Sequence, residues 1–182
     1  MAYLVWLLKL IPSVSIELMA KAASPILALF CDTDGWLPSW LSWFSTPDNS
    51  CDGDETHRSK WSGSDPFHSW MRRTAWLFRN SAYGFNLRIG FHPKNDDIRL
   101  LRGDPNVGDR TGVSGTVHYV VIRRGRLVAF QHYCVKHYRI FGSWRCVRFG
   151  IGYKIWSDPS SKMYGQYWIY FNPLKGSGLN KK

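Results

Sequence analysis

Residues 115–135 read GTVHYVVIRRGRLVAFQHYCV, and this stretch decides the fold of the second half of the chain. Two arms rich in β-branched and aromatic residues flank a turn-forming pair at 124–125. In the first arm Val117, Tyr119 and Val121 alternate with their neighbours, so they share one face of a strand. The stretch therefore predicts an antiparallel β-hairpin.

Further strands are predicted on both sides of this hairpin. The same alternation occurs at 85–91, 144–156 and 163–171, and a short strand is predicted at 97–101. Strands that follow one another through short turns favour antiparallel pairing. We therefore predict an α+β fold, in which a helical, aromatic-rich N-terminal third precedes an antiparallel β-meander of about five strands.

The N-terminal region is apolar along nearly its whole length. Residues 2–11 and 14–30 form two apolar runs, and Pro12 predicts a break between them. Three charged side chains prevent the roughly 18 uninterrupted apolar residues that mark a transmembrane helix. They are Lys9, Glu17 and Lys21. Two alternatives fit these runs, a helical hairpin that enters one leaflet of a membrane or a pair of core helices, and the scarcity of polar positions favours the first.

Composition predicts a division of the chain after residue 44. Residues 1–44 are predicted to be apolar helical segments associated with a membrane, and residues 45–182 an α+β domain with a basic antiparallel sheet. A single domain overall is the alternative, because 182 residues is a common size for one domain.

Three tryptophans follow the apolar runs. Trp36, Trp40 and Trp43 have the spacing that would align them on one side of a helix over residues 36–44, and Phe44 adds to that side. Indole rings favour the membrane–water interface, although they also fill protein cores. These four side chains are therefore candidates for contact with a membrane or a partner.

An acidic loop comes next, with oxygen-bearing side chains in close succession. Asp48, Asn49, Asp52 and Asp54 could supply ligands to a hard divalent cation such as Ca²⁺. Their spacing is not that of an EF-hand. Asp and Asn next to Pro or Gly are also ordinary turn formers. We expect a structural turn without a cofactor, with a divalent cation as the alternative.

The charge of the chain is distributed unevenly. Residues 1–65 carry four basic and eight acidic side chains, whereas residues 66–182 carry twenty basic and five acidic ones. A basic sheet of this kind can face an anionic membrane, nucleic acid or an acidic host or phage protein. The candidate contacts to phosphate or an acidic partner are Arg123, Arg124, Arg126, Arg145 and Arg148.

Candidate catalytic residues do not emerge from the sequence. It contains no P-loop, GxGxxG, HExxH or GxSxG motif. His118 and His132 lie on the two arms of the predicted hairpin, where they would pair across it, and His137 and Cys134 follow closely. Such a set suits a transition metal only if the strand register brings its members together. A protein that is not an enzyme is the better expectation.

Two motifs resemble an uncharacterised family of small tailed-bacteriophage proteins. The first is LPSWLSWFSTPDNSCDGD at 37–54, and the second is WLFRNSAYGF at 76–85. The late FGIGYKIW at 149–156 is similar to a further recurring part of that family. The resemblance implies a phage-encoded protein with a hydrophobic N-terminal region, and it implies no catalytic residues.

These features together predict a non-enzymatic bacteriophage accessory protein associated peripherally with a membrane. The expected location is the inner face of the host membrane or the cytoplasm, with the virion as a further possibility. The alternative is a soluble virion component or a host-directed binder of nucleic acid or protein, although no motif supports nucleic acid.

Overall fold

The computed structural model describes residues 1–155 and 160–181, and it has the predicted α+β fold. Helices occupy the first half, and a five-stranded antiparallel sheet with strand order β1-β2-β3-β4-β5 occupies the second. The helices are α1 (Ala2–Leu8), α2 (Leu10–Leu27), α3 (Glu55–Lys60), α4 (Pro66–Arg79) and α5 (Tyr83–Arg88). The strands are β1 (Asp97–Gly103), β2 (Gly115–Arg123), β3 (Arg126–Ile140), β4 (Ser143–Tyr153) and β5 (Tyr167–Gly176).

The chain forms two compact units. The sheet unit contains Met1–Trp6 and the described part of Gly90–Lys182, and the helical unit contains Leu7–Ile89. The predicted division after residue 44 is a different one and stays a prediction.

The predicted hairpin is confirmed as the β2–β3 pair. Arg123 lies opposite Arg126, and Arg124 and Gly125 between them both have positive φ angles, 48° and 73°. Two such residues make the tight turn whose twist matches that of the flanking strands. The predicted strand at 144–156 is also present as β4, although Trp156 lies outside the described residues.

Aromatic side chains fill the core of the sheet unit. Phe130, Tyr153 and Tyr167 are buried on one face of the sheet. Trp6 stacks on Tyr167 with ring centres 5.4 Å apart, and its Nε1 donates a hydrogen bond to the Gly152 carbonyl at 3.0 Å. The first turns of α1 are therefore part of the sheet core.

In the helical unit, α4 begins at an Asp-Pro pair. The Asp65 carboxylate accepts hydrogen bonds from the backbone amides of Phe67 and His68, both at 3.1 Å, and Pro66 occupies the first turn. This is the N-cap arrangement that the Asp-Pro pair predicts. The buried cluster against which α4 packs contains Leu27, Ala28, Leu41, Cys51, Trp76 and Leu77.

The predicted break at Pro12 is wrong. The backbone amide of Ser13 donates to the Lys9 carbonyl at 3.1 Å, so the helical backbone continues past Pro12. Pro25 also lies inside α2, and the Lys21 carbonyl, whose usual donor proline lacks, accepts a hydrogen bond from Ser24 Oγ at 2.9 Å. Pro12 and Pro25 therefore both lie within α2, and the division between α1 and α2 is at Lys9, whose own backbone angles are helical.

Two further predictions of secondary structure are wrong. Residues 36–44 contain only a 3₁₀ turn at Ser39–Leu41, because the extended Pro38 precedes it and prevents a longer helix. The strand predicted at 85–91 is instead helix α5. A Cβ on Gly84 would lie 2.0 Å from the Ser42 carbonyl oxygen, so this residue permits a close backbone approach that period-two alternation does not reveal.

Candidate membrane-facing surface

Helix α2 turns small and polar side chains toward the rest of the helical unit. Ser13, Ala20 and Ser24 are at most 1 % exposed. A surface helix of a globular protein normally buries large apolar residues and exposes polar ones. Between Ser13 and Ser24 the buried positions of α2 thus have the composition expected of an outward face, and Leu27, near the C-terminal end of the helix, is the large apolar residue that it buries.

The polar groups on this inward face have partners within the helical unit. Lys9 Nζ donates to the Ile89 carbonyl at 2.6 Å, and Ser13 Oγ donates to Asn86 Oδ1 at 2.7 Å. Lys21 forms an ion pair with Glu17 and also donates to Ser81 Oγ at 3.1 Å. The three charged side chains that interrupt the apolar runs therefore have hydrogen-bond or ion-pair partners within the protein.

Large apolar side chains cover the opposite face of the helix. Their exposed fractions run from 38 % to 76 %. They are Leu7, Leu8, Ile11, Val14, Leu18, Met19, Ile26 and Leu29. A contiguous apolar patch of this kind marks a surface that meets lipid or another protein.

Among the described residues, one helical stretch is long and apolar enough to cross a membrane by length and composition. It runs from Ala2 to Phe30 and contains 29 residues. Within its most apolar window of 18 residues, 17 % is buried. Core helices and signal sequences meet the same criterion, but a core helix is mostly buried. The low burial separates this helix from the core type.

Of the three tryptophans, Trp40 lies beside the C-terminal end of that stretch. Trp40 is 67 % exposed and packs edge-on against Phe30 with ring centres 5.6 Å apart. Trp36 and Trp43 are also exposed, and Trp43 contacts Phe85. Phe44 differs, because it is half-buried against the core cluster. We use the term apolar surface for the eight aliphatic side chains of the α2 region together with Trp36, Trp40 and Trp43.

The acidic loop is held by arginines of α4. Asp52 Oδ1 accepts hydrogen bonds from Arg72 Nε and Nη2 and from Arg73 Nε, at 2.9–3.1 Å, and Asp52 Oδ2 accepts one from Arg73 Nη2 at 3.1 Å. Burial opposes ionisation of Asp52, but the hydrogen bonds and charges of the two arginines outweigh it and lower the pKa of the carboxyl group. Asp52 therefore fixes the loop to α4 as a carboxylate.

The other members of the acidic loop have separate positions. Asp54 caps α3 by accepting from the His57 amide at 2.8 Å, the Asn49 carbonyl accepts from Thr46 Oγ1 at 2.7 Å, and Asp48 is exposed. Over the described ranges, no three His, Cys, Asp or Glu side chains are grouped as a metal site. Contacts of this kind are typical of a loop that connects structural elements. A divalent cation bound to this loop stays a prediction.

The five candidate arginines of the sheet fall into two groups. Arg123 is paired with Asp97 at 2.6 and 3.0 Å. Arg148 lies between the rings of Tyr133 and Tyr170, 3.6 Å from Asp109. Arg124, Arg126 and Arg145 are exposed, so these three have the accessibility that contact with an external anion requires.

Sequence reasoning missed the inverted packing of α2. A signal was present, because Lys9, Ser13, Glu17 and Lys21 recur every four residues and so share one side of a helix. The interpretation of these charges as interruptions of an apolar run concealed that spacing. It becomes visible only when residues 9–21 are assigned to one continuous helix.

Comparison with known proteins gives one match. No curated protein and no solved structure matches the chain. Residues 1–178 match a family that is described as a family of unknown function. Because this match covers nearly the whole sequence, the chain belongs to that family, DUF7338.

Proposed function

We propose that this protein is a non-enzymatic bacteriophage accessory protein that lies peripherally on the inner face of the host membrane. The observation that carries the proposal is the inverted α2, with serines and paired charges inward and large aliphatic side chains outward. The phage origin rests on the two sequence motifs.

Peripheral attachment fits the way α2 is packed. One side of the helix is occupied by α4 and α5, which carry Arg72, Arg73 and Arg88. These elements could not enter the hydrocarbon with the helix at low energy, because a charged side chain at the bilayer centre costs several kcal/mol. The outward side alone enters the leaflet, as in an interfacial amphipathic helix.

The tryptophans extend the same surface. Trp36, Trp40 and Trp43 would lie at the level of the headgroups, where the indole N–H stays hydrated while the ring contacts acyl chains. In the sheet unit, the exposed Arg124, Arg126 and Arg145 carry the charge that an anionic headgroup attracts, at about 1 kcal/mol for each charge that comes near a membrane surface.

Flotation on liposomes tests the proposal. The full-length protein is mixed with vesicles that contain anionic lipid and centrifuged in a density gradient. We expect Leu18→Asp to reduce recovery with the vesicles roughly 10- to 100-fold, because a carboxylate replaces an aliphatic side chain that enters lipid. Point substitution is preferable to deletion of residues 1–44, which would also remove Leu27 and Leu41 from the core.

The matched control is Ile98→Asp. Ile98 is 60 % exposed, close to the 63 % of Leu18, but it lies on β1 in the sheet unit. This variant should float like the unmodified protein. Equal flotation of the Leu18→Asp variant and the unmodified protein would refute the proposal.

A second candidate function is supported by the exposed arginines. A soluble virion component or host-directed binder of nucleic acid or an acidic protein would use Arg124, Arg126 and Arg145 without lipid. Nucleic acid binding of this kind weakens steeply as salt increases, because neutralised phosphates release counterions. Salt-dependent retention of an RNA or DNA oligonucleotide, with no flotation, would favour this alternative.

A further inference from the structure

Two histidines face each other across the central hairpin of the sheet unit. His118 on β2 is directly opposite His132 on β3, as the sequence predicted. Their Nδ1 atoms are in hydrogen-bond contact, and the ring planes are nearly perpendicular with centres 4.3 Å apart. Both side chains are half-buried.

This contact fixes the protonation of the pair. Two Nδ1 atoms can form a hydrogen bond only if one carries a proton and the other offers a lone pair. One of the two histidines therefore already directs the lone pair of its Nδ1 atom toward the Nδ1 atom of the other.

We propose that His118 and His132 bind one transition-metal ion of the Zn²⁺ type through their two Nδ1 atoms. Neutral imidazole is a preferred ligand of Zn²⁺, Cu²⁺ and Ni²⁺. The two rings move apart until their Nδ1 atoms are about 3.3 Å from each other, as two Zn–N bonds at a tetrahedral angle require. The ion then takes the place of the shared proton, and that proton moves to Nε2 of the same ring, so both rings remain neutral. Water completes the coordination.

The surroundings of the pair define how the site would behave. The rings of Phe130 and Tyr3 lie 5.4 and 6.2 Å from that of His132, which shields one side from water. Arg102 on β1 is opposite His118 in the strand register and is exposed, so its charge opposes the binding of a cation. These features suit a soft or borderline ion that gains from nitrogen ligands, and they disfavour Ca²⁺ or Mg²⁺, which prefer oxygen.

The other residues of the predicted cluster lie apart from this pair. Cys134 is opposite Thr116, two residue pairs from His132 along the hairpin and on the same face of the sheet. His137 contacts the Gly108 carbonyl through Nε2 and Ser177 Oγ through Nδ1. Within 1–155 and 160–181, the site therefore has two protein ligands rather than three.

Metal titration of the full-length protein tests this inference. ZnCl₂ is added while the histidine ring resonances are followed by NMR, and stoichiometry is measured by calorimetry. We expect saturable binding of one ion, with the ring signals of His118 and His132 shifting first. Thermal stability should rise, because an ion that binds only the folded state stabilises it. CaCl₂ at the same concentrations should produce neither effect.

Matched variants locate the site. His118→Asn and His132→Asn should each abolish saturable binding, whereas His68→Asn, at an exposed position on α4, should leave it unchanged. The absence of saturable Zn²⁺ binding, or its persistence in both hairpin variants, would overturn the inference. The NMR shifts of the unmodified protein decide the matter if a variant fails to fold. Liposome flotation does not depend on these histidines, so the two proposals can fail separately.

Discussion

Two tryptophans, one in each compact unit, have opposite roles. In the sheet unit Trp6 is buried, stacked on Tyr167 and hydrogen-bonded to the Gly152 carbonyl. In the helical unit Trp76 is buried in the same way, but Trp40 keeps two thirds of its surface exposed. Trp6 thus stabilises the fold of its own unit, whereas Trp40 is presented to the surroundings.

The aliphatic side chains repeat this contrast. The sheet unit buries Val117, Val121 and Val135 almost completely, as a water-soluble fold requires. The helical unit leaves Ile11 and Leu18 exposed. The sheet unit also exposes apolar residues, Ile98, Phe171 and Leu174 among them, so what distinguishes the helical unit is that its exposed aliphatic residues lie along one side of α2.

The largest expected effect comes from Trp6→Ala. Removal of this indole leaves a cavity beside Tyr167 and an unsatisfied Gly152 carbonyl, which should lower the free energy of unfolding by about 3–5 kcal/mol. Urea denaturation followed by near-UV circular dichroism measures the change. A loss below about 1 kcal/mol would show that α1 does not contribute to the sheet core.

The second effect concerns the ion-pair network of the helical unit. Asp52→Asn removes the charge that compensates Arg72 and Arg73, whose side chains are 15 % and 13 % exposed. Breaking such a partly buried network should lower the free energy of unfolding by about 3 kcal/mol. Asp34→Asn is the control, because Asp34 is exposed and its substitution should change stability by less than about 0.5 kcal/mol.

The same network gives stability a dependence on acid pH. The pKa of Asp52 is lower in the folded protein than its ordinary value of 3.8. Its contribution is therefore complete above that value and is lost as the pH falls through the lower, folded pKa. Denaturation at a series of pH values should show a steeper decline below pH 3.8 in the unmodified protein than in the Asp52→Asn variant. Parallel curves would contradict this assignment.

Local pattern predicted those elements whose side chains alternate and whose turns are marked by special residues. The β2–β3 hairpin, with Arg124-Gly125 at its turn, is the example, and the Asp65 cap of α4 is a local signal of the same kind. Each depends on contacts between residues close in sequence, so a short stretch contains the necessary information. The position of His118 opposite His132 also followed from the prediction of this hairpin.

Predictions that depended on distant contacts were less successful. Helix α5 replaces the predicted strand because Gly84 packs closely on Ser42 and the Phe85 amide donates to the Trp43 carbonyl, more than 40 residues away. Likewise, Lys9 and Ser13 acquire partners only when Ile89 and Asn86 are brought beside α2. Tertiary contacts override local periodicity in both cases.

The smallest expected effect on stability is that of Trp40→Ala, and it sharpens the contrast with Trp6. Because Trp40 is largely exposed, its removal should change the free energy of unfolding by less than about 1 kcal/mol. Recovery with liposomes should nevertheless fall several-fold, since the variant lacks one interfacial indole.

Trp61→Ala provides the comparison for that measurement. Trp61 is also exposed, but it follows α3 and contacts the ring of His57 instead of the apolar surface. Its removal should leave flotation unchanged. If both variants lost flotation equally, the effect would follow from tryptophan content in general. If only Trp40→Ala did so, attachment to lipid would be assigned to the side of the helical unit where α2 exposes its aliphatic residues.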